Sequence, residues 1–454
     1  MDASKRARRR SFAALRHPVL ARAMEDFILW SNARGIDTSR VDLRVDPHTR
    51  ARAVVCASTA KIKAGEVAVR VPFTACLGTT GLRCGYATCP LDDGDVGSSK
   101  QFYTPSDRLA ATLAHARFEA EGGTGGGDRD GGAWRAYVVD ALPQTVDSPV
   151  TTWTNAEIAE MTFARGIGNC AKAKARDAGT IKKLNEKYGD ASWTKHFAWA
   201  LSCVRSRAVD LERGESFLAP MLDMLNHSHG AANVKWDASD DGEAVVLRAL
   251  KTIDEGEELL TQYACEPAES FLLYMGFVGG MNPYDRVELW SSLGEAADWF
   301  AETFRSEGGE VVLDKAAGRS IANELEAQQR ARERASIVGL SGGGGTADDA
   351  AELRLRDIQS TLMGPSVGWR TDYDEALWLM FRHFTQALMP DENADQIVMH
   401  AIKKRCEEVL LSMKTTIEED EKLFSAEDTP PRLRAAVEYR LFKKCLLVKH
   451  LQSD

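Results

Sequence analysis

The spacing of apolar residues changes along this chain near Pro283. Upstream, Val67, Val69 and Val71 alternate with smaller or polar residues and the run stops at Pro72, which is typical of a strand. Downstream, apolar residues recur at the three- and four-residue spacing of helices. We therefore predict an α+β protein, in which a β-rich part is followed by an all-helical part. The clearest helical stripe consists of Val398, Ile402, Cys406, Val409, Met413 and Ile417.

The length of 454 residues exceeds the usual size of a single hydrophobic core, so two domains are expected. We predict a basic, flexible arm over residues 1–22, a β-rich domain over residues 23–284 and a helical domain over residues 285–454. Residues from about 90 to 198 are mostly helical in pattern. They are predicted to form a helical insertion within the β-rich domain.

Short strands and tight turns are indicated at several places in the β-rich part. In KIKAGEVAVRVP and TIDEGEELLTQY, Ile62 and Ile253 each precede a Gly-Glu pair by three positions and lead into an apolar strand. Between NVKW and EAVVLRAL, the pair Asp241-Gly242 is typical of a hairpin turn. These patterns predict short strands that pack together in one compact β structure.

The charge of the chain excludes some classes of partner. A net charge of −10 argues against a nucleic-acid partner, because phosphate binding needs a basic face. No apolar run approaches the length of a membrane span, so no membrane association is expected. We expect a monomer whose partner is a protein substrate.

Cysteine usage and the N-terminus bear on the compartment. The 9 cysteines are scattered and no apolar signal segment is present, which favours a reducing interior. Cys76, Cys84 and Cys89 lack a second pair with zinc-ligand spacing, so no metal is expected. The basic run from Lys5 to Arg10 fits a nuclear-localisation signal, a targeting segment or a solvated arm. Since folded-looking sequence starts near Ala23, we favour cytoplasm or nucleus over plastid.

Several polar residues interrupt otherwise apolar segments. Arg207 lies on a mostly apolar helix, while Asp223, Asn226 and His227 lie within FLAPMLDMLNHSHG, and Tyr263 ends the strand GEELLTQY. Burying such groups without partners is costly, so each must be bonded. One interpretation is structural: an ion pair, a capped turn and a core aromatic. The other is a shared functional site.

The order of these residues favours the functional interpretation. Arg207, then DMLNH, then GEEL and Tyr263, with Gly276-Phe277 a turn later, resembles the SET-domain methyltransferases. Within them it is similar to the branch of Rubisco large-subunit methyltransferase (LSMT), from about Phe27 to Arg286. The later segment RAAVEYRLFKKCLL resembles the substrate-binding domain of that branch. The resemblance implies a β-rich SET core in which the Asn-His segment is threaded beneath a later stretch.

The resemblance also implies a cofactor, S-adenosylmethionine. Asn226 and His227 would hold its amino-acid and adenine ends, and Arg207 would face its carboxylate through a charge-assisted bond. Asp223 would support the crossing from within, and the Gly276-Phe277 pair would close over the cofactor. The full set of residues that the resemblance assigns to the cofactor is Arg52, Ala53, Val54, Arg207, Asp223, Asn226, His227, Gly276 and Phe277.

Tyr263 is the expected catalytic residue. Methyl transfer to an amine is an in-line displacement that depends on alignment and desolvation, and a phenol can orient the amine.

The chain also departs from the family pattern in several places. The resulting hypotheses are a protein-lysine N-methyltransferase acting on a non-histone protein, a non-catalytic binding module and a protein-histidine N-methyltransferase. The departures are Ala51 and Ala53 in place of glycines, Ala264 in place of Gly, Ala268 in place of Asn and Met275 in place of Tyr.

One residue bears on the choice between lysine and histidine as the nucleophile. Val209, two positions after Arg207, is apolar as in the lysine-directed members, whereas a histidine-directed relative has an asparagine there. Lysine is therefore favoured as the nucleophile. The protein substrate is expected to dock on the C-terminal helical domain.

Overall fold

The fold was analysed in a computed structural model of the chain. Among the helices that it describes, none is both long enough and apolar enough to span a membrane. The predicted basic run Lys5 to Arg10 lies outside the described residues. The structure describes residues 18–45, 52–57, 61–79, 84–91, 103–122, 132–189, 192–210, 216–304, 316, 318–328, 364–369 and 373–452.

The chain divides into two compact units, each built from separated segments. This grouping does not coincide with the single boundary predicted near residue 285, because residues 146–180 and 264–284 are grouped with the C-terminal helices. The first unit comprises Met1–Asp93, Pro105–Thr145 and Ile181–Tyr263, and the second comprises Gly94–Thr104, Val146–Thr180 and Ala264–Asp454.

The strands are short, as their patterns predict. Ten of the described strands lie in the first unit and two in the second. In chain order they are β1 (Val41–Val45), β2 (Arg52–Cys56), β3 (Val67–Pro72), β4 (Leu77–Gly78), β5 (Val209–Asp210), β6 (Ser216–Leu218), β7 (Asn226–His227), β8 (Val234–Ala238), β9 (Ala244–Ala249), β10 (Leu260–Thr261), β11 (Arg286–Glu288) and β12 (Ser366–Gly368).

Small sheets form the core of the first unit. β3, β9 and β8 form an antiparallel sheet, and β8 and β9 are joined by the hairpin predicted at Asp241-Gly242, where Gly242 has a φ of +69°. The two similar turn-then-strand stretches pair with each other: Ile62 and Ile253 form an antiparallel bridge and both are fully buried. The prediction of one compact β structure is confirmed.

The helices form the rest of the structure. The first one begins at Pro18, inside the segment predicted to be a basic arm, and it ends before Gly35, whose φ is +77°. Residues 318–328 are also helical. The labelled helices are α1 (Pro18–Ala33), α2 (Pro105–Ala120), α3 (Asn155–Ala159), α4 (Ala164–Tyr188), α5 (Phe197–Arg207), α6 (Ala268–Met275), α7 (Leu293–Thr303), α8 (Glu375–Leu388), α9 (Ala394–Leu411), α10 (Ile417–Ser425) and α11 (Pro431–Gln452).

In the parts of the second unit that the structure describes, the regular elements are helices and one antiparallel strand pair, β11 with β12. Its core contains aromatic side chains in contact, such as Phe300 and Phe381 at 4.6 Å between ring centroids. The predicted stripe from Val398 to Ile417 is divided between two helices, because Thr416 caps α10 with a reciprocal bond to Glu419. Local capping therefore begins a new helix where the apolar spacing alone would continue the first one.

Candidate functional site

The Asn-His segment forms a short strand in the first unit. β7 pairs in parallel with β10, so that Asn226 lies beside Leu260 and His227 beside Thr261. Parallel strands need a long connection, and here residues 228–259, which include β8 and β9, join the two strands. The pairing brings the residues after β10, including Tyr263, to the end of β7.

Asn226 is exposed and its amide is engaged with neighbouring chain segments. Its Nδ2 donates to the backbone carbonyl of Arg52 at 2.6 Å and to Glu258 Oε1 at 2.8 Å. These bonds tie β7 to β2 and to the GEEL segment. Since both amide hydrogens are used, further recognition by this side chain falls to its oxygen.

His227 is held by the backbone just after its partner strand β10. Its Nδ1 accepts a hydrogen bond from the Tyr263 N–H at 3.0 Å, and its ring lies 4.2 Å from that of His229 and 5.1 Å from that of Tyr263. Burial, and then the proximity of His229, lower the pKa of His227 to about 4. The imidazole is therefore neutral at physiological pH.

Tyr263 lies at the centre of this arrangement. Its hydroxyl donates to the backbone carbonyl of Leu225, the residue just before β7. Burial raises the pKa of Tyr263 to about 12, so that the phenol stays protonated. The hydroxyl is held in one orientation, and its oxygen retains lone pairs that can accept a bond.

Asp223 is buried, with 8% of its surface exposed, on the 3₁₀ turn Leu222–Met224. Its carbonyl accepts a bond from Arg207 Nη1 at 2.5 Å, and its Oδ2 accepts one from the Tyr137 hydroxyl at 3.0 Å. Burial raises the pKa of Asp223 to about 6, although Arg207 and the Tyr137 bond oppose the shift. Asp223 Oδ1 and Arg207 Nε are buried without a hydrogen-bond partner among the described residues.

A second guanidinium belongs to the same cluster. Burial, and then repulsion from Arg207, lower the pKa of Arg52 to about 10, while Asp223 opposes the shift. Arg52 Nη1 lies 3.2 Å from the sulfur of Met224. At neutral pH the cluster therefore holds two cations and one carboxylate. An excess of positive charge in a largely desolvated place suits an anionic group of a ligand.

The predicted cofactor loop forms part of strand β2. Ala53 pairs with Arg44, and the carbonyl of Val54 accepts a bond from the Leu259 N–H at 2.8 Å. Ala53 is not among the described residues with positive φ, so its methyl group meets no backbone strain. Ala51 lies outside the described residues.

Gly276 and Phe277 belong to the second unit. Gly276 ends α6 with a φ of +82°, and a Cβ atom there would lie 1.9 Å from the carbonyl oxygen of Asp147. Only glycine fits, for a reason that needs no ligand. The ring of Phe277 lies 5.6 Å from that of Phe271. Closure over a cofactor by this pair stays a prediction.

Two contacts of the site were not predicted from the sequence. Tyr137 comes from the helical insertion and reaches Asp223 over 86 residues of sequence, and nothing in WRAYVVDALP marks it. Glu258 was part of the GEEL pattern, but its bond to Asn226 is not visible in the spacing. Within the described residues, no group of three or more His, Cys, Asp or Glu side chains is arranged to hold a metal ion.

Two family models match the chain. The model of the SET domain matches residues 52–264, and the model of the Rubisco LSMT substrate-binding domain matches residues 381–447. The chain contains a SET domain and a Rubisco LSMT substrate-binding domain. The SET domain match includes the clustered site residues from Arg52 to Tyr263, whereas Gly276 and Phe277 lie outside both matches.

Curated relatives of this SET-domain chain fall into two groups. The fructose-bisphosphate aldolase-lysine N-methyltransferase of Arabidopsis thaliana, named as chloroplastic, is 23% identical over 69% of this chain and 63% of its own length. The Rubisco large-subunit N-methyltransferase of Nicotiana tabacum, also named as chloroplastic, is 23% identical over 70% and 63%. The actin-histidine N-methyltransferase of Danio rerio is 31% identical over 34% and 28%. The chain thus spans 63% of the length of the two plant relatives.

Solved structures share the fold of the SET-domain chain. The SET domain of LSMT bound to lysine and AdoHcy gives a TM-score of 0.56 at 18% identity, covering 95% of this chain and 90% of that one. Rubisco LSMT bound to AdoMet gives 0.54 at 18% identity, covering 94% and 90%. At this level of identity the likeness concerns the fold alone.

Proposed function

We propose that the chain is an S-adenosylmethionine-dependent protein-lysine N-methyltransferase. The observation that carries the proposal is the cluster of buried Asp223 with half-buried Arg52 and Arg207, which lies beside the strand pair β7–β10 and the Tyr263 that follows it. It combines an excess of positive charge with polar atoms that lack partners among the described residues. The carboxylate of the cofactor suits that charge, and the Arabidopsis thaliana relative is a lysine N-methyltransferase by name.

The residues of the chain have separable tasks in this proposal. Arg207 holds the cofactor carboxylate, while Asn226 and His227 hold its amino-acid and adenine ends. The cofactor, when bound, supplies a methyl group on a sulfonium. Neutral His227 adds no positive charge beside that sulfonium, because the pKa of His227 is lowered to about 4.

Tyr263 orients the nucleophile. Its hydroxyl donates to the Leu225 carbonyl, which fixes the direction of the oxygen, and a phenol oxygen that donates one bond can also accept one from an incoming amine. A free lysine has a pKa of about 10.4, so its amine must lose a proton before it reacts, and burial favours the neutral form. Alignment of the lone pair by a fixed acceptor is the main contribution that a displacement of this kind requires.

A second candidate function is protein-histidine methylation. It is supported by the actin-histidine relatives, one of which is 24% identical over 70% of this chain. Against it stands Val209, which is buried with 2% exposed and offers no hydrogen bond to an imidazole. The lysine proposal is therefore preferred.

The nucleophile can be identified directly. The chain is incubated with methyl-labelled S-adenosylmethionine and a cell extract, and the labelled protein is hydrolysed for amino-acid analysis. Methyllysine supports the proposal, and methylhistidine supports the second candidate. Calorimetry on the chain alone tests the third hypothesis. If the chain binds no cofactor and labels no protein, it is a non-catalytic binding module.

We further propose that the protein substrate docks on the helical C-terminal region, with the chain acting as a monomer. The Rubisco LSMT substrate-binding match supports this placement. Leu379 on α8 and Leu411 on α9 are 48% and 79% exposed. Changing either to Asp should raise KM for the protein substrate and leave cofactor affinity unchanged. Leu29→Asp on α1, at a leucine 67% exposed, is the matched control.

The compartment is open to a direct test. The two plant relatives named as chloroplastic weigh against the predicted cytoplasm or nucleus. A fluorescent fusion of the full chain, with and without Lys5 to Arg10 changed to Gln, distinguishes the cases. Loss of nuclear signal on substitution would support the nuclear prediction, and plastid signal would contradict it.

A further inference from the structure

The helical insertion contributes a side chain to the site. Tyr137 is fully buried in a short π-helix, Ala136–Ala141, a rare geometry that is found frequently at functional sites. Its ring is stacked against Phe27 at 6.1 Å and Trp30 at 5.9 Å. The stacked rings fix the direction in which the Tyr137 hydroxyl points, which is toward Asp223 Oδ2 at 3.0 Å.

Asp223 is thus held at both ends. Arg207 donates to its backbone carbonyl and Tyr137 donates to its carboxylate. The turn that carries Asp223 follows Met221, whose φ of +74° is unusual for a residue other than glycine. Such a backbone persists only when surrounding contacts enforce it, and these two bonds are among them.

We propose that Tyr137 is a positioning residue of the cofactor site, acting through Asp223. This inference rests on the proposed binding of S-adenosylmethionine beside Arg207. The Tyr137 hydroxyl holds the Asp223 carboxylate in one direction and favours its charged form, and that charge balances one of the two neighbouring guanidinium groups. Without the hydroxyl, Asp223 takes up a proton more readily and Arg207 loses a fixed neighbour.

The proposal predicts a specific pH dependence. Burial raises the pKa of Asp223 to about 6, and the Tyr137 hydrogen bond opposes this rise. Removing the bond should therefore raise the pKa of Asp223 further and move the pH at which cofactor affinity changes. The charged and titratable groups that face Asp223 are Arg52, Cys76, Tyr137, Cys203, Arg207 and Tyr263.

The test is calorimetric titration of the full chain with S-adenosylmethionine at several pH values from about 5 to 8.5, a range that spans the raised pKa of Asp223, about 6. Wild type should show an inflection in affinity near pH 6. In Tyr137→Phe the inflection should move to higher pH, and binding at intermediate pH should be about fivefold weaker for one lost hydrogen bond. At the alkaline end the two proteins should converge.

Matched variants separate positioning from packing. Tyr86 is another buried tyrosine of the first unit, and its hydroxyl donates to Glu119 at 2.6 Å, so Tyr86→Phe should keep the wild-type inflection. Asp223→Asn should have no inflection, and adding Tyr137→Phe to it should change affinity little. An inflection that persists in Asp223→Asn overturns the proposal even if Tyr137→Phe does not fold.

The failures are distinguishable. Normal wild-type binding with an unshifted inflection in Tyr137→Phe, even with a lower Tm, overturns the positioning role and leaves the proposed function intact. A folded wild-type chain with no affinity for S-adenosylmethionine overturns both.

Discussion

Two buried aspartates, one in each unit, show different ways of accommodating charge. Asp420 in the second unit is fully buried, and its oxygens accept bonds from Arg440 at 2.8 Å and from Lys444 at 2.7 Å. Asp223 in the first unit is also buried, with 8% of its surface exposed, yet its Oδ1 lacks a partner among the described residues. Burial alone would raise both pKa values. The bonds from Arg440 and Lys444 bring the pKa of Asp420 below its usual value, whereas the pKa of Asp223 rises to about 6.

The difference indicates what each cluster is for. A buried charge whose oxygens are all paired contributes to a defined fold and has no capacity left for a ligand. A buried charge with unmet hydrogen-bonding capacity is costly to keep, and such groups are frequent at functional sites. We therefore expect substitutions at Asp420 to act on stability, and substitutions around Asp223 to act mainly on binding and catalysis.

The largest expected effect is at Asp420. Asp420→Ala leaves Arg440 and Lys444 buried without their shared carboxylate, which should destabilise the second unit by about 3–5 kcal/mol. Urea denaturation followed by fluorescence measures the loss. The control is Asp241→Asn, which removes an exposed carboxylate paired with Arg70 and should leave the midpoint nearly unchanged. A loss at Asp420 no greater than that of the control would break the comparison.

Unlike Asp420→Ala, the variant Asp223→Asn should not lower the free energy of unfolding near neutral pH. The pKa of Asp223 in the folded chain is about 6 and lies above the ordinary aspartate pKa of 3.8, so its stabilising contribution is complete below pH 3.8 and is lost as pH rises through 6. A shift of this size corresponds to about 3 kcal/mol at most. Asp223→Asn removes this loss, so its unfolding free energy near neutral pH should not fall below that of wild type.

His227 gives this prediction an internal check. The pKa of His227 is lowered from 6.5 to about 4, so its contribution is present above 6.5 and lost as pH falls through 4. In wild type the two trends oppose each other between these values. Unfolding free energies of Asp223→Asn across this range should therefore rise with pH more steeply than those of wild type. Parallel curves would contradict the raised pKa of Asp223.

Asn226→Ala and His227→Ala should weaken S-adenosylmethionine binding by about 1–3 kcal/mol each, as expected for the loss of a hydrogen bond that the bound cofactor would bury. Calorimetry at neutral pH measures this, with circular dichroism as the check on folding. Asn233→Ala is a useful contrast, because Asn233 Nδ2 donates to the Glu258 carbonyl at 2.8 Å and serves the backbone. Wild-type affinity in a folded Asn226 or His227 variant would remove that residue from the site.

The sequence predicted well whatever depends on local periodicity. The alternation at Val67 to Val71 and the Asp241-Gly242 turn both correspond to observed elements, because a strand face and a hairpin are determined by adjacent residues. The order of Arg207, Asn226, His227 and Tyr263 led to the SET domain through a resemblance, since spacing alone left a structural interpretation open.

Contacts between distant segments could not be predicted in this way. The bond from Tyr137 to Asp223 joins segments 86 residues apart, and no pattern in either segment specifies the other. The helix break before Ile417 was missed for a different reason: apolar spacing continues across it, whereas the capping box at Thr416 ends the continuity. The Asp147 carbonyl leaves no room for a side chain at Gly276, and this residue is again remote in sequence.

Tyr263→Phe separates chemistry from structure most narrowly, because it removes one oxygen and keeps the ring. The ring contact with His227 at 5.1 Å and the bond from the Tyr263 N–H to His227 do not depend on the hydroxyl, so the cofactor should bind nearly as in wild type. The bond to the Leu225 carbonyl is lost, which should lower stability by only about 1 kcal/mol. The methyl-transfer rate should fall tenfold or more, about 1.4 kcal/mol of barrier for each factor of ten, because no fixed acceptor then orients the amine. Single-turnover methyl transfer, cofactor calorimetry and Tm measured on the same preparation resolve the three effects. If turnover is unchanged while Tm falls, Tyr263 is a core residue like those around Asp420, and Met275, where the family has a tyrosine, becomes the stronger indication of a non-catalytic SET domain.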